Sequence, residues 1–217
     1  SSMLARSSFR ATTSGSCGLS ANSRSKTSFG FTSGGTGVVP SRHEFYSRFH
    51  SLEGLGQRTL SRWRRVQWAF LWKIALLARR RRLLLKSPSH TARVRALIDL
   101  LGASQGRGGV KFVHVSRAPG PVVRSNVKMA EHMAVYGLQN RPSLEEIRRR
   151  VIEEYDATER KFLAERTAIP TGDLAMVRYE DLIADPIGEL HRVYSELGLG
   201  WNADVEGRVV SYLDSVR

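Results

Sequence analysis

"RRLLLKSPSHTAR" (Arg81–Arg93) runs three leucines into a polar segment with a proline, and a helix-spaced apolar pattern starts just behind it. A short apolar run that stops at polar residues is the mark of a buried parallel strand reaching the edge of its sheet. In open α/β sheets, ligands sit beyond the carboxyl ends of the strands. Lys86 and His90 therefore stand where a ligand belongs. A basic surface turn is the alternative reading of the same residues.

The surrounding chain favours the strand. Residues 57–80 form a long basic helical pattern containing Trp63, Trp68 and Trp72, and Thr91–Leu101 places Val94, Leu97, Ile98 and Leu101 on one helical face. "ASQGRGG" (Ala103–Gly109) is a loop, and "VKFVHVS" (Val110–Ser116) is a second strand followed by a helix from about Pro121, proline being favoured at a first helical position. Arg141–Arg166 is a long charged helix with Ser143 and Glu146 spaced as a capping box and an ion-paired solvent face. "DLAMVRYEDL" (Asp173–Leu182) holds a third strand, a helix then ends at Gly198, and a last helix covers roughly Ala203–Leu213. Strands alternating with helices predict an α/β domain with a mainly parallel sheet flanked by helices.

Residues 1–42 are rich in Ser, Thr and Gly and carry no acidic residue; the first is Glu44. Such a segment buries too little apolar surface to offset its ordering entropy, and it fits a disordered tail or an organelle transit peptide equally well. Residues 43–217 are the predicted domain; its compartment is unknown from the sequence, cytoplasmic and organellar both being open, the latter if the tail is a transit peptide. The glycine turn "FTSGGTG" (Phe31–Gly37) lacks the Lys-Ser/Thr ending of a Walker loop and is assigned to a linker.

The 217 residues carry a formal net charge of +14, which favours a polyanionic partner: a phosphorylated cofactor, a nucleic acid or an acidic surface. The single cysteine, Cys17, excludes an internal disulfide framework and a cysteine-rich metal site. No stretch reaches the roughly 18–20 apolar residues of a membrane span. The most apolar one, Val66–Ala78, is interrupted by Lys73 and is assigned to a helix packed within the domain, its tryptophans included. The first residue is Ser rather than Met, as expected of a fragment or processed product.

Past the second strand the sequence reads "VHVSRAPGPVVRSN", with Arg117 at the strand terminus and Ser125 eight residues on, in the following helix. A strand end feeding a helix N-terminus offers free N–H groups and a positive dipole to an anion. Arg117 adds a fork of donors suited to phosphate, and Ser125 a hydroxyl. The competing account pairs Arg117 with a carboxylate and leaves Ser125 solvated. His114 is expected to be a core histidine. Arg178, Glu180 and Asp181 follow a strand and are placed to face the site, with structural pairing as the favoured role. The arginine run Arg79–Arg82 is assigned to solvated charge.

Three ordered blocks, "RRLLLKSPSHTAR", "KFVHVSRAPGPVVRSN" and "MVRYEDLIADPIGELHRVYSELGL", resemble the PAPS-dependent sulfotransferase family, in its broad group with a Lys-Ser-Pro-x-His strand ending. The likeness covers roughly Trp63–Leu199, about two thirds of the chain. It implies a doubly wound, P-loop-kinase-like α/β fold and 3′-phosphoadenosine 5′-phosphosulfate (PAPS) as sulfuryl donor. Adenosine 3′,5′-bisphosphate (PAP) would be the product. It further implies that Arg117 and Ser125 bind the donor's 3′-phosphate, and that Lys86 and His90 approach the sulfuryl group and a hydroxyl- or amine-bearing acceptor. Lys86 would stabilise charge on the departing oxygen and His90 would act as base, with bracing of the helix near Thr91 as its structural alternative. The chemistry requires no metal.

The sequence departs from the family in three places. The donor-binding loop, a Lys/Arg-Ser/Gly-Gly-Thr-Thr-like sequence after an early strand, is not found; "TSGGTG" keeps glycines and a threonine without the basic residue. The usual Arg-Asp-Pro is Arg117-Ala118-Pro119. The chain ends at Arg217, ahead of a C-terminal segment that in the family often covers the nucleotide. The domain is therefore expected to be incomplete. A noncatalytic or truncated nucleotide-binding protein is the main alternative to an active sulfotransferase, and a basic nucleic-acid-binding protein is the less favoured one.

Overall fold

Helices carry most of the described residues, and two short strands join them. The computed structural model describes residues 48–78, 82–102, 110–134 and 142–216. The Ser-rich tail, the glycine turn 31–37, arginines 79–81 and the loop 103–109 lie outside the described residues. Helix α1 spans Gln57–Leu77, and a 3-10 turn at Pro88–Arg93 leads into α2, Val94–Leu101. Strand β1 (Phe112–Ser116) is followed by α3 (Pro119–Ala134) and α4 (Leu144–Glu165). Strand β2 (Leu174–Arg178) leads directly into α5 (Tyr179–Ala184), α6 (Pro186–Glu196) and α7 (Ala203–Val216).

β1 and β2 pair in parallel, in register from Phe112 opposite Leu174 to Ser116 opposite Arg178. Residues directly opposite each other in such a pair share a face. Phe112 and Leu174 pack with Val94, Ile98, Phe162 and Ile169, which come from α2, α4 and the segment after α4. Ala175 and Val177 pack on the other face with Val193 and Leu197 of α6 and its continuation. One face is packed from both strands, whereas the other is covered over β2 only, Val113 and Val115 of β1 being exposed there. The described residues form a mostly helical unit around a two-stranded parallel sheet, smaller than the sheet expected from the sequence.

The missing strand is Leu83–Leu85. Residues 82–87 have no regular structure, and Leu84 is 85% exposed. A buried parallel strand needs a ladder partner and cover on both faces. The only strands among the described residues, β1 and β2, pair with each other. The segment is anchored one step later, where Ser89, Ala92 and Arg93 of the 3-10 turn are buried. Arg93 donates through Nε to the His50 carbonyl at 3.0 Å, also donates to the Phe49 carbonyl, and lies 5.7 Å from the Trp63 ring centroid. α1 also departs from expectation. Trp63, Gln67 and Leu71 are buried, whereas Trp68 and Trp72 are half exposed, so this helix contributes one stripe to the interior and is not enclosed.

Helix ends follow the residues that mark them. Ser143 caps α4 by accepting the Glu146 N–H at 3.1 Å. The Glu146 carboxylate pairs with Arg150 one turn on, so only half of the expected capping box forms. Asp185 caps α6 by accepting the Gly188 N–H at 3.0 Å. That helix ends where Gly198 takes φ +60, a left-handed conformation glycine adopts without penalty, and Leu199 beyond it packs against the Ala175–Val177 core. α4 carries the expected ion-paired face, with Arg149–Glu153 at 2.9 Å and Lys161–Glu165 at 2.8 Å.

Phe162 is the aromatic centre of one core. It is 2% exposed and stacks on His114 of β1 with ring centroids 3.9 Å apart. His114 is thus a core histidine, as expected; burial lowers its pKa and raises that of Glu159, whose carboxylate lies 3.8 Å away. Replacing Phe162 removes contacts from β1, β2 and α2 together. Phe162→Ala is expected to lower the unfolding free energy by about 3–5 kcal/mol, read from urea denaturation of the two proteins.

Candidate functional site

Parallel pairing puts the carboxyl ends of β1 and β2 side by side. The Ser116 hydroxyl donates to the Val177 carbonyl at 3.3 Å and ties the two exits together. Arg117 follows β1, and Tyr179 and Glu180 follow β2. The Arg117 guanidinium lies over the Tyr179 ring, 4.2 Å from its centroid. The Ala118 N–H donates to the Glu180 carboxylate at 3.2 Å. Glu180 is held below the usual carboxylate range, first by its own backbone N–H, then by that of Ala118, with Arg178 and Arg117 adding their charge.

Arg117 is exposed and, among the described residues, has no carboxylate within ion-pair distance. The pairing with a carboxylate considered for it from the sequence is therefore not what the structure places there. Ser125 is exposed on α3, the seventh residue of that helix. At 1.5 Å of rise per residue it stands roughly 9 Å along the axis from Pro119. α3 begins on Pro119 with Pro121 two positions later. Proline has no N–H, so of the first four helical positions only Gly120 and Val122 have donors to offer. The backbone contributes less to an anion here than a helix N-terminus ordinarily does, and side chains contribute more.

Lys86 and His90 sit in another part of the unit. Lys86 is exposed in the irregular segment before the 3-10 turn and has no hydrogen-bond or ion-pair partner among the described residues. His90 belongs to the turn, where its backbone N–H donates to the Ser87 carbonyl at 3.0 Å. Burial, and then the charge of Arg93, lowers the His90 pKa from 6.5 to about 4, which keeps the imidazole neutral at pH 7. Arg93 is itself lowered to about 10 by burial. No hydrogen bond, ion pair or ring contact among the described residues joins Lys86 or His90 to Arg117 or Ser125. No group of three or more His, Cys, Asp or Glu residues among them is placed to hold a metal ion.

The sequence reading does not single out Tyr179, and it gives Glu180 two roles, facing the site or pairing with its neighbours, of which pairing is the favoured one. Arg178 and Asp181 do pair, at 3.8 Å, as expected. Glu180 turns instead to the other strand exit. The signal was "RYED" directly behind the strand, because a carboxylate one residue past the partner of Ser116–Arg117 has only to point sideways to reach Ala118.

An imidazole whose folded pKa lies below its unfolded value makes stability pH-dependent. Its contribution is complete above about 6.5 and is lost as pH falls toward 4. His114, lowered by burial, acts in the same direction. The unfolding free energy is thus expected to be level above pH 6.5 and to fall below it, with part of that fall absent in His90→Asn, measured by urea denaturation at a series of pH values.

A model described as the sulfotransferase family matches residues 38–203. The omega-hydroxy-beta-dihydromenaquinone-9 sulfotransferases of Mycobacterium bovis and Mycobacterium tuberculosis are each 32% identical to the chain over 166 residues, covering 75% of it. The chain spans 40% of the length of either relative. No solved structure matches it. With the family model covering most of the chain, the protein belongs to the sulfotransferase family.

Proposed function

We propose that this chain provides the nucleotide half, and part of the acceptor half, of a sulfotransferase. It would take a sulfuryl group from PAPS and pass it to an acceptor hydroxyl or amine. The larger architecture we propose is the P-loop-kinase-like α/β fold, of which the β1–β2 pair and its covering helices are a portion. The observation that carries the reading is Arg117: an exposed guanidinium at the carboxyl end of a parallel strand, laid on an aromatic ring and, among the described residues, with no carboxylate within ion-pair distance. In open α/β sheets that is where phosphorylated ligands sit. Arg117 supplies a paired set of donors to the 3′-phosphate, and the Ser125 hydroxyl supplies a third from the next face of α3.

PAPS brings the reactive sulfuryl group and a good leaving group; the protein's part is to position and to balance charge. Lys86 is assigned to charge growing on the departing oxygen. His90 is assigned to the acceptor's proton. As a neutral imidazole it is free to accept one, but with a pKa of about 4 it is a weak base in the ligand-free protein. Negative charge brought beside it favours the protonated form and raises its basicity. The names of the two mycobacterial relatives describe sulfation of a hydroxylated acceptor. We carry over a hydroxyl as the preferred acceptor group and nothing finer.

A second reading is favoured by a specific observation. Among the described residues, no hydrogen bond, ion pair or ring contact joins Lys86 or His90 to the Arg117 end. A unit of this kind would bind the nucleotide without transferring from it. Nucleic-acid binding, in contrast, would show no preference for a 3′-phosphate and a steep dependence on salt.

Isothermal calorimetry with PAP and with AMP, which lacks the 3′-phosphate, tests the reading. PAP is expected to bind more tightly than AMP. Arg117→Ala is expected to weaken PAP by about ten- to a hundredfold, the range for losing charge-assisted bonds to a phosphate, and to leave AMP nearly unchanged. Equal weak binding of both nucleotides by the unaltered protein would contradict the proposal.

A further inference from the structure

The Arg117-Ala118-Pro119 turn has no side-chain acceptor of its own at Ala118, yet its backbone is tied down from outside. The Ala118 N–H donates to the Glu180 carboxylate at 3.2 Å, across the gap between the exits of β1 and β2. One residue earlier on each strand, Arg117 rests on Tyr179. The two contacts run in step because the strands are parallel and in register up to Ser116 opposite Arg178. We propose that Glu180 is the positioning residue of the anion site: by holding the Ala118 N–H it fixes the turn that aims Arg117 at the 3′-phosphate. This rests on the reading of Arg117 as the phosphate ligand.

Three features of the site point the same way. First, Pro119 and Pro121 leave α3 with few backbone donors in its first turn, so the site leans on Arg117. Second, Arg117 is exposed and its side chain has many rotamers to lose; a ring on one side and a fixed backbone below reduce what must be ordered when a ligand arrives. Third, Glu180 is itself exposed and bears a negative charge close to a site meant for an anion. Placed there for no purpose, it would only repel the ligand. As the acceptor for the Ala118 N–H it has a reason to be there, and its ionised oxygen is a stronger acceptor than a neutral group.

The positioning role and simple repulsion predict opposite results. Glu180→Ala removes both acceptor and charge. Glu180→Gln removes the charge and keeps an acceptor oxygen. Calorimetric titration with PAP of the unaltered protein, both variants, Arg117→Ala, and Arg117→Ala with Glu180→Ala makes the comparison, and thermal unfolding confirms that each is folded. If Glu180 positions Arg117, Glu180→Ala weakens PAP about five- to tenfold, a typical loss for one charge-assisted hydrogen bond acting through another group. Glu180→Gln restores the affinity to within about twofold. In the Arg117→Ala background, Glu180→Ala changes it by less than about twofold, the non-additivity expected of residues that act as a unit.

Unchanged binding in Glu180→Ala would overturn the proposal, as would tighter binding in both Glu180 variants. So would an undiminished Glu180→Ala effect without Arg117. A failure of the unaltered protein to prefer PAP over AMP would remove the reading of Arg117, and this inference with it. The other three outcomes leave that reading standing.

Discussion

The parallel pairing of Phe112–Ser116 with Leu174–Arg178 is the contact on which the rest of the unit depends. The two strands are separated in sequence by α3, α4 and their connections, so the pairing closes a long loop whose entropy must be recovered by burial. The recovery is visible on both faces. Phe112, Leu174 and Phe162 fill one side, and Ala175, Val177, Val193 and Leu197 pack over β2 on the other. At the start of the strands, the Phe112 N–H donates to the Asp173 carbonyl at 2.7 Å, and Lys111 pairs with the Asp173 carboxylate at 2.8 Å. At their end, Ser116 donates to Val177. Each end of the short ladder is thus tied by a side chain as well as by the backbone.

Because the strands are parallel, both chains leave the sheet at the same edge. An antiparallel pair in the same register would have sent Arg117 and Tyr179 to opposite ends. The chemistry of the site follows from that constraint: a guanidinium from one exit, a ring and a carboxylate from the other, and a helix starting between them. The overall charge of +14 makes the molecule attractive to anions in general. In the proposed reading the local arrangement selects among them, since a planar fork held on a ring suits a phosphate better than diffuse positive charge does.

Much of this could be read from the residues. The alternation in "KFVHVS" and "LAMVR", the serine and aspartate caps of α4 and α6, and Gly198 at a helix end each express a local preference that tertiary packing leaves intact. Leu83–Leu85 did not form a strand because strand formation is not local: three leucines next to arginines satisfy a pattern, but a ladder needs a partner edge, and this segment lies against neither β1 nor β2 as a strand. Trp68 and Trp72 were assigned to the interior because tryptophan is costly to expose. Helix periodicity places them on the side opposite Trp63, and that side faces outward. Spacing alone left Arg117 and Ser125 open between an anion site and structural roles, and their proposed roles come from the resemblance. Glu180 was placed near the strand exit, but its bond to the Ala118 N–H was not legible, because that partner is sixty-two residues away and only the strand register brings the two together.

The claim that the β1 exit recognises a 3′-phosphate is tested most directly by phosphorus NMR of PAP, whose two phosphates give separate resonances. On binding, the account predicts that the 3′-phosphate resonance shifts and that Arg117→Ala abolishes this shift. A shift confined to the 5′-phosphate, or a 3′-phosphate shift that survives Arg117→Ala, would contradict it.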